Sequence, residues 1–266
     1  MDASGNPAPT VDHVGRRLML LTTLGAAALP PVAAGSAAPT DEPRIKAVAF
    51  DAFPIFDPRS VFAAAEAVFP ERGEALSRVW FQKIFADTWL RTSARRHLPF
   101  GDVAAECLDY ACRASALPLD ARARDRLLAA LSNLAVWPDA TDQLDRLRAR
   151  GVRLAFLSDM SEAMLRANMR RNGLETLFEA VLSTDAVRAF KPAPEAYALA
   201  MRTLGLRRQE IGFAAFAAWD AAGASWFGYP TAWVNRQVQQ PEPGAPAAVR
   251  SGRDLGVVAR LVGGPG

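Results

Sequence analysis

The stretch IKAVAFDAFPIFD, residues 45–57, decides the fold. It opens with a short apolar run bounded by Pro43 and Pro54, which suits a buried central strand better than a helix of that length. The run ends at Asp51, and in an open α/β sheet ligands bind beyond the carboxyl ends of the strands. Asp51 is therefore the leading candidate for the reactive group. The alternative is a buried aspartate that caps the loop after the strand.

Length and composition fit one α/β core with a smaller accessory domain. The 266 residues are half hydrophobic and carry a formal net charge of +3, which allows a sizeable core. The arginines are spread along helical patterns such as 121–128 and 144–150. They indicate solvated helix faces and argue against nucleic-acid binding.

Cysteines and histidines are few. Cys107 and Cys112 lie five apart in a helical pattern, which predicts buried free thiols and neither a disulfide nor a metal site. His13 and His97 are the only histidines, so a histidine-built metal site or a Ser-His-Asp triad is not expected.

The N-terminus predicts an export signal. Arg16 and Arg17 precede an apolar segment that ends at Leu29, and two prolines and the small-residue run 32–38 follow. This layout, residues 1–38, resembles a bacterial twin-arginine signal peptide and predicts export to the periplasm or beyond by the twin-arginine machinery. The apolar segment is shorter than the ~20 residues that span a bilayer, so no membrane anchor is expected. A disordered basic tail is the alternative.

Two patterns divide the remaining chain. Residues 60–135 show apolar side chains every three or four positions and predict an inserted helical cap. Residues 39–59 and 136–266 predict a Rossmann-like core, because strands alternate there with helices as in a mainly parallel sheet. The tail after Gln237 is rich in Pro, Gly and Ala and is expected to be loosely held, apart from a short helix near 255–261. The expected core strands are 152–157, 180–182, 211–216 and 231–234, and the expected helices are 140–149, 161–172, 194–204 and 220–227.

Polar residues fall at three further predicted strand ends. Ser158 and Asp159 follow the strand 152–157, Lys191 follows the segment 187–190, and Asp220 lies just beyond the strand that begins at Ile211. Because parallel strands end at one edge of a sheet, these groups are expected to converge with Asp51. Each also has a purely structural interpretation, with Ser158 as a helix cap, Lys191 as a surface lysine and Asp220 as an N-cap.

Five segments carry a resemblance to a known family. They are AFDAF, WFQKIFADTWLR, LAFLSD, VLSTDAVRAFKPAPEAY and AWDAAGASWFGYPTAWVNR. Together they resemble haloacid dehalogenase type II, the (S)-2-haloacid dehalogenase branch of the haloacid dehalogenase superfamily, from Lys46 to beyond Asn235. The resemblance implies a Rossmann-like core with a helical cap inserted after the first strand, and a homodimer as a further expectation.

The resemblance also implies roles for single residues. Asp51 matches the nucleophile, which attacks the carbon bearing the halogen, expels halide with inversion and leaves an ester that water hydrolyses. Asp220 matches the residue that helps activate this water, and Lys191 matches the cation that organises the nucleophile. Ser158 matches a contact to the substrate carboxylate, and Tyr197 matches another active-site position.

Phe53 separates dehalogenation from phosphoryl transfer. Phosphatases of the superfamily place a second Asp two residues after the nucleophile, as general acid and neighbour of Mg²⁺. An apolar ring neither protonates a leaving group nor helps to hold a hard cation. The sequence therefore predicts a metal-independent hydrolase without a cofactor, and a phosphatase-like activity is the least favoured alternative.

Several polar residues of the family pattern are replaced. Pro54 and Ile55 stand where Gly and Thr are usual, and Phe81 stands where an Arg is thought to help hold the departing halide. Asp159 replaces an Asn and adds negative charge near an acidic substrate. The run AAFAA, residues 214–218, lacks a Ser and an Asn.

These replacements leave two main hypotheses. One is a hydrolase of short 2-haloalkanoic acids, slow or shifted to a more apolar substrate, and the other is an impaired relative that binds such an acid without turning it over. A halide leaving into an apolar pocket needs a donor or cation, and Arg78, three residues before Phe81, is placed to reach a similar helix face. The expected substrate-binding residues are Ser158, Asp159, Tyr197, Phe53, Phe81 and Trp219.

Overall fold

The structure is a computed structural model that describes residues 44–263, so the predicted export signal lies outside the described residues. The strands within this range are β1 Ala47–Phe50, β2 Phe56–Asp57, β3 Ala135–Val136, β4 Arg153–Ser158, β5 Ala180–Ser183, β6 Ile211–Ala215, β7 Thr231–Val234 and β8 Arg250–Gly252. The α-helices are α1 Arg59–Val68, α2 Gly73–Ser93, α3 Phe100–Ala114, α4 Ala121–Ala130, α5 Ala140–Ala149, α6 Glu162–Arg171, α7 Pro194–Leu204, α8 Ala218–Phe227 and α9 Gly256–Val262.

Strand β1 lies at the centre of a six-stranded parallel sheet with the order β5-β4-β1-β6-β7-β8. Val48 and Phe50 point into one hydrophobic cluster, and Ala47 and Ala49 point into another. A strand that is apolar on both sides is what a sheet covered by helices on both faces requires. The predicted α/β fold with a mainly parallel sheet is confirmed.

Helices α1 to α4 follow one another between β2 and β3. Trp80 in α2 is fully buried, and its indole N–H donates to the carbonyl of Ala104 in α3 at 2.8 Å. Gly73 opens α2 directly against α1, where a Cβ would overlap with backbone atoms of Ala65 and Glu66. Only glycine permits this close approach of the two helices.

A small antiparallel ribbon joins the helical segment to the sheet. Phe56 in β2 pairs with Val136 in β3, so the chain leaves and re-enters the core side by side. The indole N–H of Trp137 adds a hydrogen bond of 3.0 Å to the carbonyl of Phe53. Strands of two residues carry no hydrophobic periodicity, and this ribbon was not predicted.

The C-terminal tail is more ordered than its composition predicted. Strand β8 pairs in parallel with β7 and extends the sheet, and α9 buries Val257, Val258 and Leu261. The carboxylate of Asp139 fixes the start of this unit by accepting the backbone N–H of Leu255 at 2.8 Å. The expectation of a loosely held tail is therefore wrong for β8, which is ordered by pairing with β7, while the predicted short helix near 255–261 is confirmed by α9.

The remaining expectations for the fold concern thiols and membranes. Cys107 and Cys112 are buried and unpaired in α3, as predicted. No helix within residues 44–263 is long and apolar enough to cross a membrane.

Candidate active site

The carboxyl edge of the sheet brings the predicted reactive groups together. Asp51 follows β1, Ser158 ends β4, and Asp220 lies in the first turn of α8, behind β6. Lys191 does not follow a strand, contrary to the prediction. Strand β5 ends at Ser183, and a 3₁₀ helix and a loop then bring Lys191 back to the edge.

The carboxylate oxygens of Asp51 have different partners. Oδ1 accepts hydrogen bonds from Lys191 Nζ at 2.8 Å and from Ser158 Oγ at 3.2 Å. Oδ2 accepts the backbone N–H of Phe53 at 3.2 Å. These three donors fix the orientation of the carboxylate and leave Oδ2 as the less engaged oxygen.

Lys191 bridges two carboxylates. Its ammonium lies 2.8 Å from Asp51 Oδ1 and 2.8 Å from Asp220 Oδ2, and its side chain is 1% exposed. Burial opposes the charge, but the attraction of Asp220 and Asp51 outweighs it and raises the pKa of Lys191 above its usual value. Lys191 is therefore a buried, protonated cation and not a surface lysine.

Asp220 is buried behind this bridge. Its Oδ1 accepts the hydroxyl of Tyr197 at 2.8 Å, and burial raises its pKa to about 6 against the opposing attraction of Lys191. The N-cap of α8 is Ala217, so Asp220 does not cap the helix. Tyr197 has no exposed surface and contacts the site through Asp220, so direct contact between Tyr197 and a ligand has no support in this geometry.

Asp159 holds the loop that carries Lys191. Its Oδ1 accepts the hydroxyl of Thr184 at 2.9 Å and the backbone N–H of Lys191 at 3.0 Å, while Oδ2 has no hydrogen-bond partner among the described residues. Burial raises the pKa of Asp159 to about 7. Near neutral pH this carboxyl is partly protonated, so it adds less negative charge to the site than the sequence alone suggested.

A cavity of about 750 Å³ opens over these groups. No group of three or more His, Cys, Asp or Glu side chains within residues 44–263 is arranged to hold a metal ion. Of the nine predicted site residues, eight line the cavity: Asp51, Phe53, Phe81, Ser158, Asp159, Lys191, Trp219 and Asp220.

Helix α2 supplies both an aromatic ring and a cation to the cavity. Phe81 lines it, and so does Arg78, one turn earlier, as its spacing suggested. The Arg78 side chain is 68% exposed and pairs with Glu74 at 2.5 Å. A guanidinium therefore stands near the mouth, although the family arginine is replaced by Phe81.

Three amide side chains in the cavity wall were missed by the sequence analysis. They are Gln82, Gln237 and Gln239. Gln239 accepts the backbone N–H of Ala218 at 3.0 Å and donates to Gln237 at 2.9 Å. Polar groups from the chain after β7 thus stand beside the apolar run 214–218. No local pattern in the sequence marks them.

Comparison with known proteins gives consistent matches. The profile of the haloacid dehalogenase-like hydrolase family matches residues 45–228. The (S)-2-haloacid dehalogenase of Pseudomonas sp. (strain YL) is 40% identical over 193 residues, which are 72% of this chain and 83% of that protein. The structure of L-2-haloacid dehalogenase from Xanthobacter autotrophicus aligns with a TM-score of 0.78 at 34% identity, over 84% of this chain and 100% of that one. The same dehalogenase with chloropropionic acid covalently bound also aligns at 0.78, with 33% identity and the same coverage.

Proposed function

The chain belongs to the haloacid dehalogenase-like hydrolase family, and from this premise we propose that it hydrolyses 2-haloalkanoic acids through a covalent ester on Asp51. One observation carries the proposal: Lys191 bridges Asp51 and Asp220 in the wall of one cavity. This arrangement pairs a carboxylate that can attack carbon with a second one that can activate water. The names of the relatives support the same class of substrate.

In the first step, Asp51 attacks the carbon that bears the halogen. We assign the attack to Oδ2, since Lys191 and Ser158 occupy Oδ1. A carbon–oxygen bond forms while the carbon–halogen bond breaks, and the halide leaves with the bonding electrons. Arg78 is the cavity cation placed to compensate the departing charge, because Lys191 is engaged by two carboxylates.

In the second step, water attacks the carboxyl carbon of the ester. Asp220 accepts a proton from this water, and its pKa of about 6 suits a base that works near neutral pH. Oδ1, now the carbonyl oxygen, gains negative charge that the Lys191 ammonium and the Ser158 hydroxyl stabilise. Collapse of this intermediate releases the 2-hydroxy acid and restores Asp51, so each turnover consumes one water and yields halide and a proton.

A second candidate is a protein that binds a 2-haloacid or related carboxylic acid without turning it over. It is favoured by Phe81 in place of a cation and by the apolar run 214–218. Phosphoryl transfer remains the weakest alternative, because Phe53 offers no proton to a leaving group.

Halide release separates these candidates. The full-length chain would be incubated with each enantiomer of 2-chloro- and 2-bromopropanoate, beside Asp51→Asn and the matched control Asp142→Asn, an exposed aspartate in α5. We expect release by wild type and by the control, and none by Asp51→Asn. Binding of the acids without halide release by a folded sample would favour the second candidate.

Isotope labelling tests the ester itself. In a single turnover in H₂¹⁸O, water attacks the carboxyl carbon, so the label should enter the Asp51 carboxylate and be found in the peptide that contains it. Label that appears only in the hydroxy acid would mean direct attack of water on the substrate and would contradict the ester.

We also propose export of the chain by the twin-arginine machinery, supported by Arg16, Arg17 and the apolar and small-residue segments that follow them. Cell fractionation of a bacterium that expresses the full chain should find the shortened protein outside the cytoplasm. Replacing both arginines by lysine should retain it inside, and equal export of this variant would contradict the proposal.

A further inference from the structure

The cavity over Asp51 has walls made of aromatic rings. Phe53 follows the nucleophile by two residues, and its ring centroid lies 6.1 Å from that of Phe81 and 5.8 Å from that of Phe216. Phe62 packs edge-on against Phe81 at 5.6 Å. These four rings form a continuous surface, which we call the ring wall. All four line the cavity.

A second aromatic surface belongs to the same cavity. Phe85 and Trp219 pack together with ring centroids 5.4 Å apart, and both line the cavity. The rings of each surface pack against one another, so an aromatic group of a ligand would contact ring edges and faces that are already held in position. Aromatic pairs in such edge-to-face and offset contacts gain more than area burial alone provides.

The cavity is also large for a short 2-haloacid. At about 20 Å³ per non-hydrogen atom, 2-bromopropanoate would fill about 120 Å³ at close packing, whereas the cavity holds about 750 Å³. A methyl group at C2 would leave the ring wall largely uncovered. A phenyl or benzyl group at C2 would cover apolar surface and displace water from it.

The cavity divides into a charged part and an aromatic part, which adjoin where the backbone N–H of Phe53 donates to Asp51 at 3.2 Å. Asp51, Lys191 and Asp220 form the buried ion cluster, and Arg78 is an exposed cation near the cavity mouth. An acid with one anionic end and one aromatic end matches this division of the surface. A long aliphatic acid would match the apolar area without the ring contacts.

We propose that the preferred substrates are 2-haloacids that carry an aryl or arylalkyl group at C2, such as 2-bromo-3-phenylpropanoate. This inference rests on the proposed dehalogenation. It assigns the ring wall of Phe53, Phe62, Phe81 and Phe216 to recognition of the aromatic group.

The test compares two substrates that differ by a phenyl group. Halide release would be measured for the enantiomers of 2-bromopropanoate and 2-bromo-3-phenylpropanoate. We expect a kcat/KM at least about 30-fold higher for the phenyl substrate. Phe81→Leu should reduce this ratio at least fivefold, and Phe216→Leu provides a second variant should the first fail to fold. Phe69→Leu, outside the cavity lining, should keep the ratio.

The outcomes separate the substrate class from the reaction. Halide release from 2-bromopropanoate with a ratio of one or below would leave dehalogenation standing and overturn the inference. Without release from either substrate, dehalogenation fails, and calorimetry on Asp51→Asn with 3-phenylpropanoate and propanoate decides the ligand class. Binding of the phenyl acid at least tenfold tighter would support the ring wall as its site, and a smaller difference would overturn it.

Discussion

Replacement of Lys191 by methionine would remove the cation between two buried carboxylates while keeping most of the side-chain volume. Nζ lies 2.8 Å from Asp51 Oδ1 and 2.8 Å from Asp220 Oδ2. At an effective dielectric constant near 20, each attraction is about 6 kcal/mol before the cost of desolvation. Removal of one partner from a buried ion pair typically costs about 3–5 kcal/mol, so we expect Lys191→Met to lose about 3 kcal/mol of unfolding free energy at pH 8.

The loss should depend on pH. Asp220 already has a pKa of about 6 in the folded protein, above its usual value of 3.8. Without Lys191 this pKa rises further, because the carboxylate loses its countercharge and faces Asp51. A carboxyl whose pKa is higher in the folded than in the unfolded protein stabilises the fold at pH values below its pKa in the unfolded state. This stabilisation is lost as the pH rises through its pKa in the folded state. The deficit of the variant should therefore be smaller at pH 5 than at pH 8.

Urea denaturation followed by tryptophan fluorescence, at pH 5 and pH 8, measures both effects. Lys83→Met is the matched control, since Lys83 is 31% exposed and pairs loosely with Asp87 at 3.7 Å. It should lose less than about 1 kcal/mol at either pH. A loss for Lys191→Met no greater than that of the control at pH 8, or the same loss at both pH values, would refute the reasoning.

Three further substitutions test the groups around this cluster. Tyr197→Phe removes a hydrogen-bond donor to ionised Asp220, so the pKa of Asp220 should rise above about 6. The acidic limb of the rate–pH profile should then move to higher pH by about half a unit or more, and an unchanged limb would contradict this. Asp159→Asn removes an acid whose folded pKa of about 7 makes wild type less stable as pH rises, so urea denaturation should show a gain of about 1–2 kcal/mol at pH 8 and a smaller gain at pH 5; an equal effect at both pH values would count against it. Gly223→Ala would place a Cβ 2.5 Å from Tyr197 Oη, and we expect a loss of about 1–3 kcal/mol; an unchanged melting temperature would mean that Tyr197 moves freely.

The central strand and two of the acids could be predicted because their signals are local. Residues 47–50 form an apolar run that suits a strand covered on both faces, and Asp51 follows it directly. Asp220 lies a few residues after β6, in the first turn of the helix that follows it. The topology of parallel strands then predicts convergence without any knowledge of side-chain contacts.

The route of Lys191 to the site could not be predicted in the same way. A 3₁₀ helix at Thr184–Val187 and a loop separate it from β5. The loop is fixed by the bond from the backbone N–H of Lys191 to Asp159, 32 positions earlier. Gln239 and strand β8 were missed for a related reason. Their placement depends on distant partners, Ala218 and β7, and the intervening sequence has no hydrophobic period.

The energetics of the buried ion cluster bear on the choice between an enzyme and a binding protein. A buried ion pair adds little to stability over apolar residues of equal volume, because the cost of desolvation offsets the attraction. Two carboxylates and one ammonium with almost no access to solvent are costlier still, and burial raises the pKa of Asp220 to about 6 as a consequence. A site that merely bound an acid would gain nothing from carboxylates that repel it. Attack on carbon followed by activation of water needs both of them, with the lysine between them, so this cluster favours catalysis.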